Sequence, residues 1–234
     1  MAKRKNIQAE TTETIVDLQE VKHDALGFFE KYQKLILIVG GALIALVGGY
    51  FAYKYLYQMP NQEKAVAQMY KAQEQFERDS FNLALTNPGG GSAGFLDIIK
   101  KYGGSPASNL AYYYAGICYL NMSDYNNAVK YLDDYSPKDE ITAITKYGSL
   151  GDAYSELKKF DDAMSNYKKA ASYDNDFLTP FYLKKLGMLQ EKQGDNKSAK
   201  DSYQKIKENY PQSNEGRDIE KYMMRAEAMA NAKK

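Results

Sequence analysis

Two adjacent carboxylate pairs, Asp133–Asp134 and Asp161–Asp162, are the first residues to test for chemistry. Two acids held close together can divide the roles of acid and base between them. The first pair falls late in a helical pattern and the second at a helix start, places where acids meet solvent and the helix dipole. Asp174-Asn175-Asp176 could open a calcium loop, but the rest of an EF-hand loop does not follow. Gly89-Gly90-Gly91 lacks the Lys-Ser/Thr pair of a phosphate loop. His23, the only histidine, precedes the part expected to fold, which leaves no histidine there for a triad or a typical zinc site. Cys118 is the only cysteine, so an internal disulfide and a CxxC pair are both excluded. Its place between Ile117 and Tyr119 reads as a small buried side chain. The expectation is a chain that is not an enzyme and takes no cofactor, no metal and no small-molecule substrate. Its function must lie in its surfaces.

The elements that carry those surfaces can be read from composition and period. Hydrophobic residues make up 44% of the 234 residues and charged residues 26%, enough to bury a core. Charge is balanced at a formal +1, and residues 58–234 carry 24 basic and 24 acidic side chains. That balance argues against nucleic acid as a partner, which demands a basic face.

Leu35 to Tyr53 is a run of 19 residues without charge, bracketed by Lys34 and Lys54. As a helix it spans about 28 Å, close to the hydrocarbon thickness of a bilayer. Phe28, Phe29 and Tyr32 precede it, and Tyr50, Phe51, Tyr53, Tyr55 and Tyr57 lie at or after its end, the two aromatic belts of a membrane span. The sequence predicts a transmembrane helix over 35–53, uncleaved, with a tail over 1–34. Lys3, Arg4, Lys5, Lys22, Lys31 and Lys34 before the span, against Lys54 and Lys64 after it, favour a cytoplasmic N-terminus. Gly41, Ala45 and Gly49 form a stripe of small residues on which another membrane helix could pack closely.

Beyond the span the chain repeats itself. Gly116, Gly151 and Gly187 recur at intervals of 35 and 36, with Ala128, Ala163 and Ala199 each 12 residues later. Leu132, Tyr167 and Tyr203 follow four residues after those alanines. Each unit reads as two antiparallel helices whose axes close up at small residues, with a large residue filling the space beside them. Asp124, Asp161 and Asp195 fall at the expected starts of the second helices. The pattern resembles the tetratricopeptide repeat (TPR) family, best over 144–177 with Tyr147, Leu150, Gly151, Tyr154, Ala163, Tyr167 and Ala170. The fold class expected is therefore all-α: an N-terminal transmembrane helix followed by a TPR-like solenoid of helical hairpins. Three repeats fill 109–213. A degenerate first hairpin with a Gly-rich loop fills 61–105, with a helix over 61–81 and the loop over 82–94. A capping helix over 214–234 presents Ile219, Tyr222, Met223, Ala226 and Met229 on one face.

The TPR resemblance implies a protein-binding groove lined by the first helix of each unit. Carried over by position, its residues are Leu110, Tyr113, Ile117 and Leu120, then Thr145, Asp152 and Glu156, then Phe181, Lys184, Met188 and Glu191. The first set is apolar. Either it suits a hydrophobic peptide, or it is covered by the opening hairpin. The Lys/Asn clamp of carboxylate-binding TPR grooves is absent, since Tyr113 and Ile117 stand where it would begin.

The layout as a whole, and residues 25–55 in detail with the Phe28-Phe29 pair, a Gly-rich span and an aromatic exit, resemble the YfgM-type family of ancillary translocon subunits. That resemblance implies a bacterial inner-membrane protein with one pass and a periplasmic repeat domain. Its implied partners are the SecYEG translocon and a PpiD-type membrane-anchored chaperone. The alternatives are an import receptor whose repeats face the cytosol and a scaffold of another envelope complex.

Overall fold

The computed structural model describes residues 31–232, and its chain divides into two compact units, Met1–Tyr57 and Gln58–Lys234. The tail before Lys31, with His23, Phe28, Phe29 and the basic residues at 3, 4, 5 and 22, lies outside the described residues.

In the first unit residues 31–52 form an α-helix, α1, and Tyr53–Gln58 continue as a π-helix. The helical run Lys31–Glu77 contains a stretch long and apolar enough to cross a membrane, none of it buried in the protein. Leu37, Ile44 and Leu46 stand fully in the open. Methyl groups built on Gly41 and Gly49 would meet nothing within 4 Å, so the small-residue face is smooth and uncovered. At the exit Phe51 stacks on Tyr55 and Tyr53 on Tyr57, with ring centroids 6.0 and 5.6 Å apart. The widened turn has a local cause. Pro60 has no N–H to bond backwards, and its ring would press on the carbonyl four residues earlier. Opening the preceding turn to π geometry relieves both problems.

The second unit begins with α2 (Met59–Glu77), then the short α3 (Phe81–Thr86) and α4 (Phe95–Lys101). Three hairpins follow: α5 (Pro106–Asn121) with α6 (Tyr125–Asp134), α7 (Glu140–Glu156) with α8 (Phe160–Ala170), and α9 (Leu178–Lys192) with α10 (Asn196–Asn209). A 3-10 turn at Gly216–Asp218 leads into α11 (Ile219–Ala232). There is no β-strand among the described residues. The composition of 82–94 suggested loop throughout, but Phe81, Ala84 and Leu85 find apolar neighbours and draw its first residues into α3. The rest of the loop is tied to α2, where Gln68 accepts the Ala93 N–H and Gln75 donates to the Pro88 carbonyl.

Within each hairpin the glycine and the large residue meet. A Cβ on Gly116 would lie 2.5 Å from Leu132 Cγ, one on Gly151 2.5 Å from Tyr167, and one on Gly187 2.3 Å from Tyr203. Gly148 does the same between hairpins, where a Cβ would lie 1.9 Å from the Tyr182 ring. The first helices end alike. Ser123, Lys158 and Gly194, each seven residues after its repeat glycine, adopt left-handed φ of 62°, 60° and 79°. The next residue then donates its N–H five residues back, from Asp124 to Tyr119, Lys159 to Tyr154 and Asp195 to Gln190. Asp124 and Asp195 cap α6 and α10 by accepting the N–H three residues on. Asp161 does not cap α8. It sits inside the first turn, and Lys159 holds the cap position.

Candidate protein-binding cleft

The first helices α2, α5, α7 and α9 run parallel. Gln62 accepts the Ala107 N–H at 2.7 Å while Gln73 reaches Tyr114 further along both helices. Likewise Gly148 meets Tyr182 and, one turn on, Asp152 meets Lys185. This arrangement sets the groove residues side by side.

Leu110, on α5, packs partly against the opening hairpin's core of Ala65, Met69, Phe95 and Ile98. Tyr113 lies against Tyr135 with centroids 5.3 Å apart. Ile117 and Leu120 are half-buried, and Leu120 opens into a cleft of about 530 Å³. On α7 the Thr145 hydroxyl donates back to the Ile141 carbonyl, so it is satisfied within its own helix. Asp152 and Glu156 both line the cleft. On α9 Met188 is 48% exposed and lines the same cleft. Phe181 opens into a neighbouring cavity of about 800 Å³ bounded by Phe177, Leu178, Tyr210, Pro211 and Arg217. Lys184 turns away to lie 4.7 Å over the Tyr222 ring of α11.

The cleft's electrostatics centre on a relay that sequence reasoning missed. The Tyr167 hydroxyl donates to Asp152 Oδ1 at 2.6 Å, and Lys185 Nζ from the next repeat bridges both Asp152 oxygens at 2.7 and 2.8 Å. Lys185 also sits 4.8 Å from the Phe181 ring. The third repeat has its own version. The Tyr203 hydroxyl donates to Glu191 at 2.9 Å, and the Arg225 guanidinium of α11 forks onto the same carboxylate. Burial first, then the adjacent carboxylate, pushes the phenols of Tyr167 and Tyr203 well above the usual range. Burial and the nearby Asp152 charge do the same for Tyr182. In the first repeat Leu132 has no hydroxyl and Ile117 and Leu120 supply no carboxylate, so the relay is missing and that wall of the cleft is apolar.

Lys185, Tyr125, Leu189 and Lys192 complete the lining. The helical phase of α9 was the available signal: Phe181, Lys185, Met188 and Lys192 share one face, which Lys184 does not. The carboxylates of the opening test lie elsewhere. Asp133 and Asp134 end α6, and Asp174 accepts the Tyr210 hydroxyl.

Models of the tetratricopeptide repeat match residues 110–135, 147–177 and 185–213, which coincide with the three hairpins. The uncharacterized protein ycf37 of Guillardia theta is 26% identical over 115 residues, covering 47% of this chain and 64% of that protein. The chain thus spans under two thirds of that relative's length. The crystal structure of MamA protein is similar with a TM-score of 0.53 at 17% identity, covering 73% of this chain and 94% of that one. The fold is all-α, an array of TPR-like hairpins with a candidate transmembrane helix near its N-terminus, and TPR domains are modules of protein interaction.

Proposed function

We propose that this protein is a single-pass inner-membrane subunit whose repeats hold polypeptide segments beside the Sec translocon, in company with a PpiD-type membrane-anchored chaperone. The observation that carries the reading is the cleft of α5, α7 and α9. Its apolar floor of Leu120, Met188 and Leu189 is open to solvent within about 530 Å³, a size suited to side chains of a bound peptide. The exposed apolar helix supports the membrane placement, and the aromatic exit at Tyr50 to Tyr57 supports an interface at that level. The uncovered face at Gly41, Ala45 and Gly49 offers a seat for a translocon helix. The tail is cytoplasmic and the repeats periplasmic in this reading.

Affinity purification in mild detergent tests the partners. SecYEG or chaperone subunits should co-purify, and recovery of neither counts against the proposal. Topology is tested separately with a Lys234→Cys variant and a membrane-impermeant thiol reagent applied to spheroplasts. Labelling is expected, because Cys118 is buried and only the new thiol can react. Labelling confined to inverted vesicles would put the repeats in the cytosol.

A further inference from the structure

We infer that the cleft is bipartite and recognises two large apolar side chains of one extended, near-neutral polypeptide segment, spaced three or four residues apart. The inference rests on the reading of this cleft as a polypeptide site. Along α9, Phe177, Phe181, Lys185, Met188 and Lys192 fall on one face. Phe177 is 83% exposed, Phe181 40% and Met188 48%, a costly display of apolar surface for residues without a partner.

This face serves two separate cavities. One, of about 800 Å³, is walled by Phe177, Leu178, Phe181 and Pro211. The other, of about 530 Å³, is floored by Leu120, Met188 and Leu189. Between them stands a partition made by Lys185, which lies over the Phe181 ring and is neutralised by Asp152. Because that pair is satisfied internally, a segment crossing it has no unmet charge to answer and would lose by burying one of its own.

The remaining charges argue the same way. Asp176 and Glu215 with Arg217 rim the first cavity, and Glu156 with Lys192 rims the second, so both signs stand at each end and neither end selects a strongly charged client. Concave walls of this depth also fit side chains rather than the flat surface of a bilayer.

The spacing follows from helix geometry. Phe181 and Met188 are seven residues apart on α9, about 10.5 Å along its axis. An extended or polyproline-like chain covers that distance in three to four residues at about 3.1–3.4 Å each. A helical client would instead need anchors about seven residues apart.

The test uses the full chain in nanodiscs and fluorescein-labelled Gly/Ser/Asn peptides that carry two phenylalanines separated by zero to eight residues, with a single-phenylalanine control. Anisotropy should show an optimum at positions i and i+3 or i+4, at least about tenfold tighter than the control. Phe177→Asp and Met188→Asp, both at exposed sites where folding is spared and checked by circular dichroism, should each return the optimal peptide to single-anchor affinity. Lys185→Ala, which removes the partition, should flatten the spacing preference while binding persists. Equal affinity at every spacing, an optimum at i+7, or indifference to Phe177→Asp would overturn the bipartite cleft while leaving a polypeptide site in place. Failure of every peptide to bind would overturn the polypeptide reading along with it.

Discussion

Replacing Gly187 by alanine sets two known effects against each other. Alanine is the better helix former, and the exchange in a helix interior gains about 1 kcal/mol. Against this, the new Cβ would sit 2.3 Å from Tyr203 Cε1 and 2.8 Å from Cζ. The ring must retreat by more than 1 Å to reach ordinary contact, yet it is fully buried and its hydroxyl is held by Glu191. Overpacking of this kind costs about 3 kcal/mol. The net expectation is a loss of about 2 kcal/mol, read as a shift in the urea midpoint of the helical circular dichroism signal. Gly103→Ala is the control, since its Cβ meets only the Ile99 carbonyl at 3.6 Å, and it should change stability by less than about 0.5 kcal/mol. In a Tyr203→Ala background the clash is gone, and the same Gly187→Ala exchange should become neutral or stabilising. A Gly187→Ala protein as stable as the parent would refute the argument, showing that hairpin spacing is not fixed by this pair.

Four other outcomes are expected. Lys158→Gly should stabilise the protein by about 1 kcal/mol in the same urea assay, because Lys158 holds a left-handed φ of 60° where its neighbour in the third repeat is Gly194. Stability should be flat below about pH 10 and fall above it: the folded phenols of Tyr167, Tyr182 and Tyr203 keep their protons after those of the unfolded chain ionise, so unfolding releases protons in that range, and a pH series of urea midpoints checks it. The Cys118 thiol, buried and pushed up to about 12, should not react with a disulfide reagent at pH 8 until urea unfolds its repeat. Arg225→Ala strips its cation from Glu191, whose side chain is only 9% exposed, and hydrogen exchange across 219–232 should accelerate far more than with Lys200→Ala at the exposed Lys200–Glu227 pair.

Much of this architecture is legible in the sequence because it rests on size. A glycine opposite Leu132, Tyr167 or Tyr203 is a steric statement, and steric statements recur at fixed intervals that a single sequence displays. The charge-free run at 35–53 is legible for a similar reason, as one residue class held over a set length. The polar half of the cleft is different. Asp152 stands one residue after its repeat glycine and Glu191 four after its own, yet both receive a tyrosine hydroxyl from the equivalent ring. No alignment of equivalent positions pairs them, and their cations come from the following element. Tyr167 and Tyr203 therefore read as filling residues although each is also a donor. Asp161 was misplaced as a cap because the left-handed residue Lys158, invisible by residue type, shifts the start of α8.

The relay bears on how such an array can grow. Solenoids are commonly thought of as lengthening by copying a unit in tandem, which the apolar register here would permit. The polar contacts would not. Were the second unit followed by a copy of itself, the place of Lys185 would be taken by Ser149, and Asp152 would keep its tyrosine but lose its cation. In the third unit the acceptor is Glu191, where the second has Ser155. The three units are thus addressed to their neighbours: the order of the array is written in its charges, and its length is fixed by them.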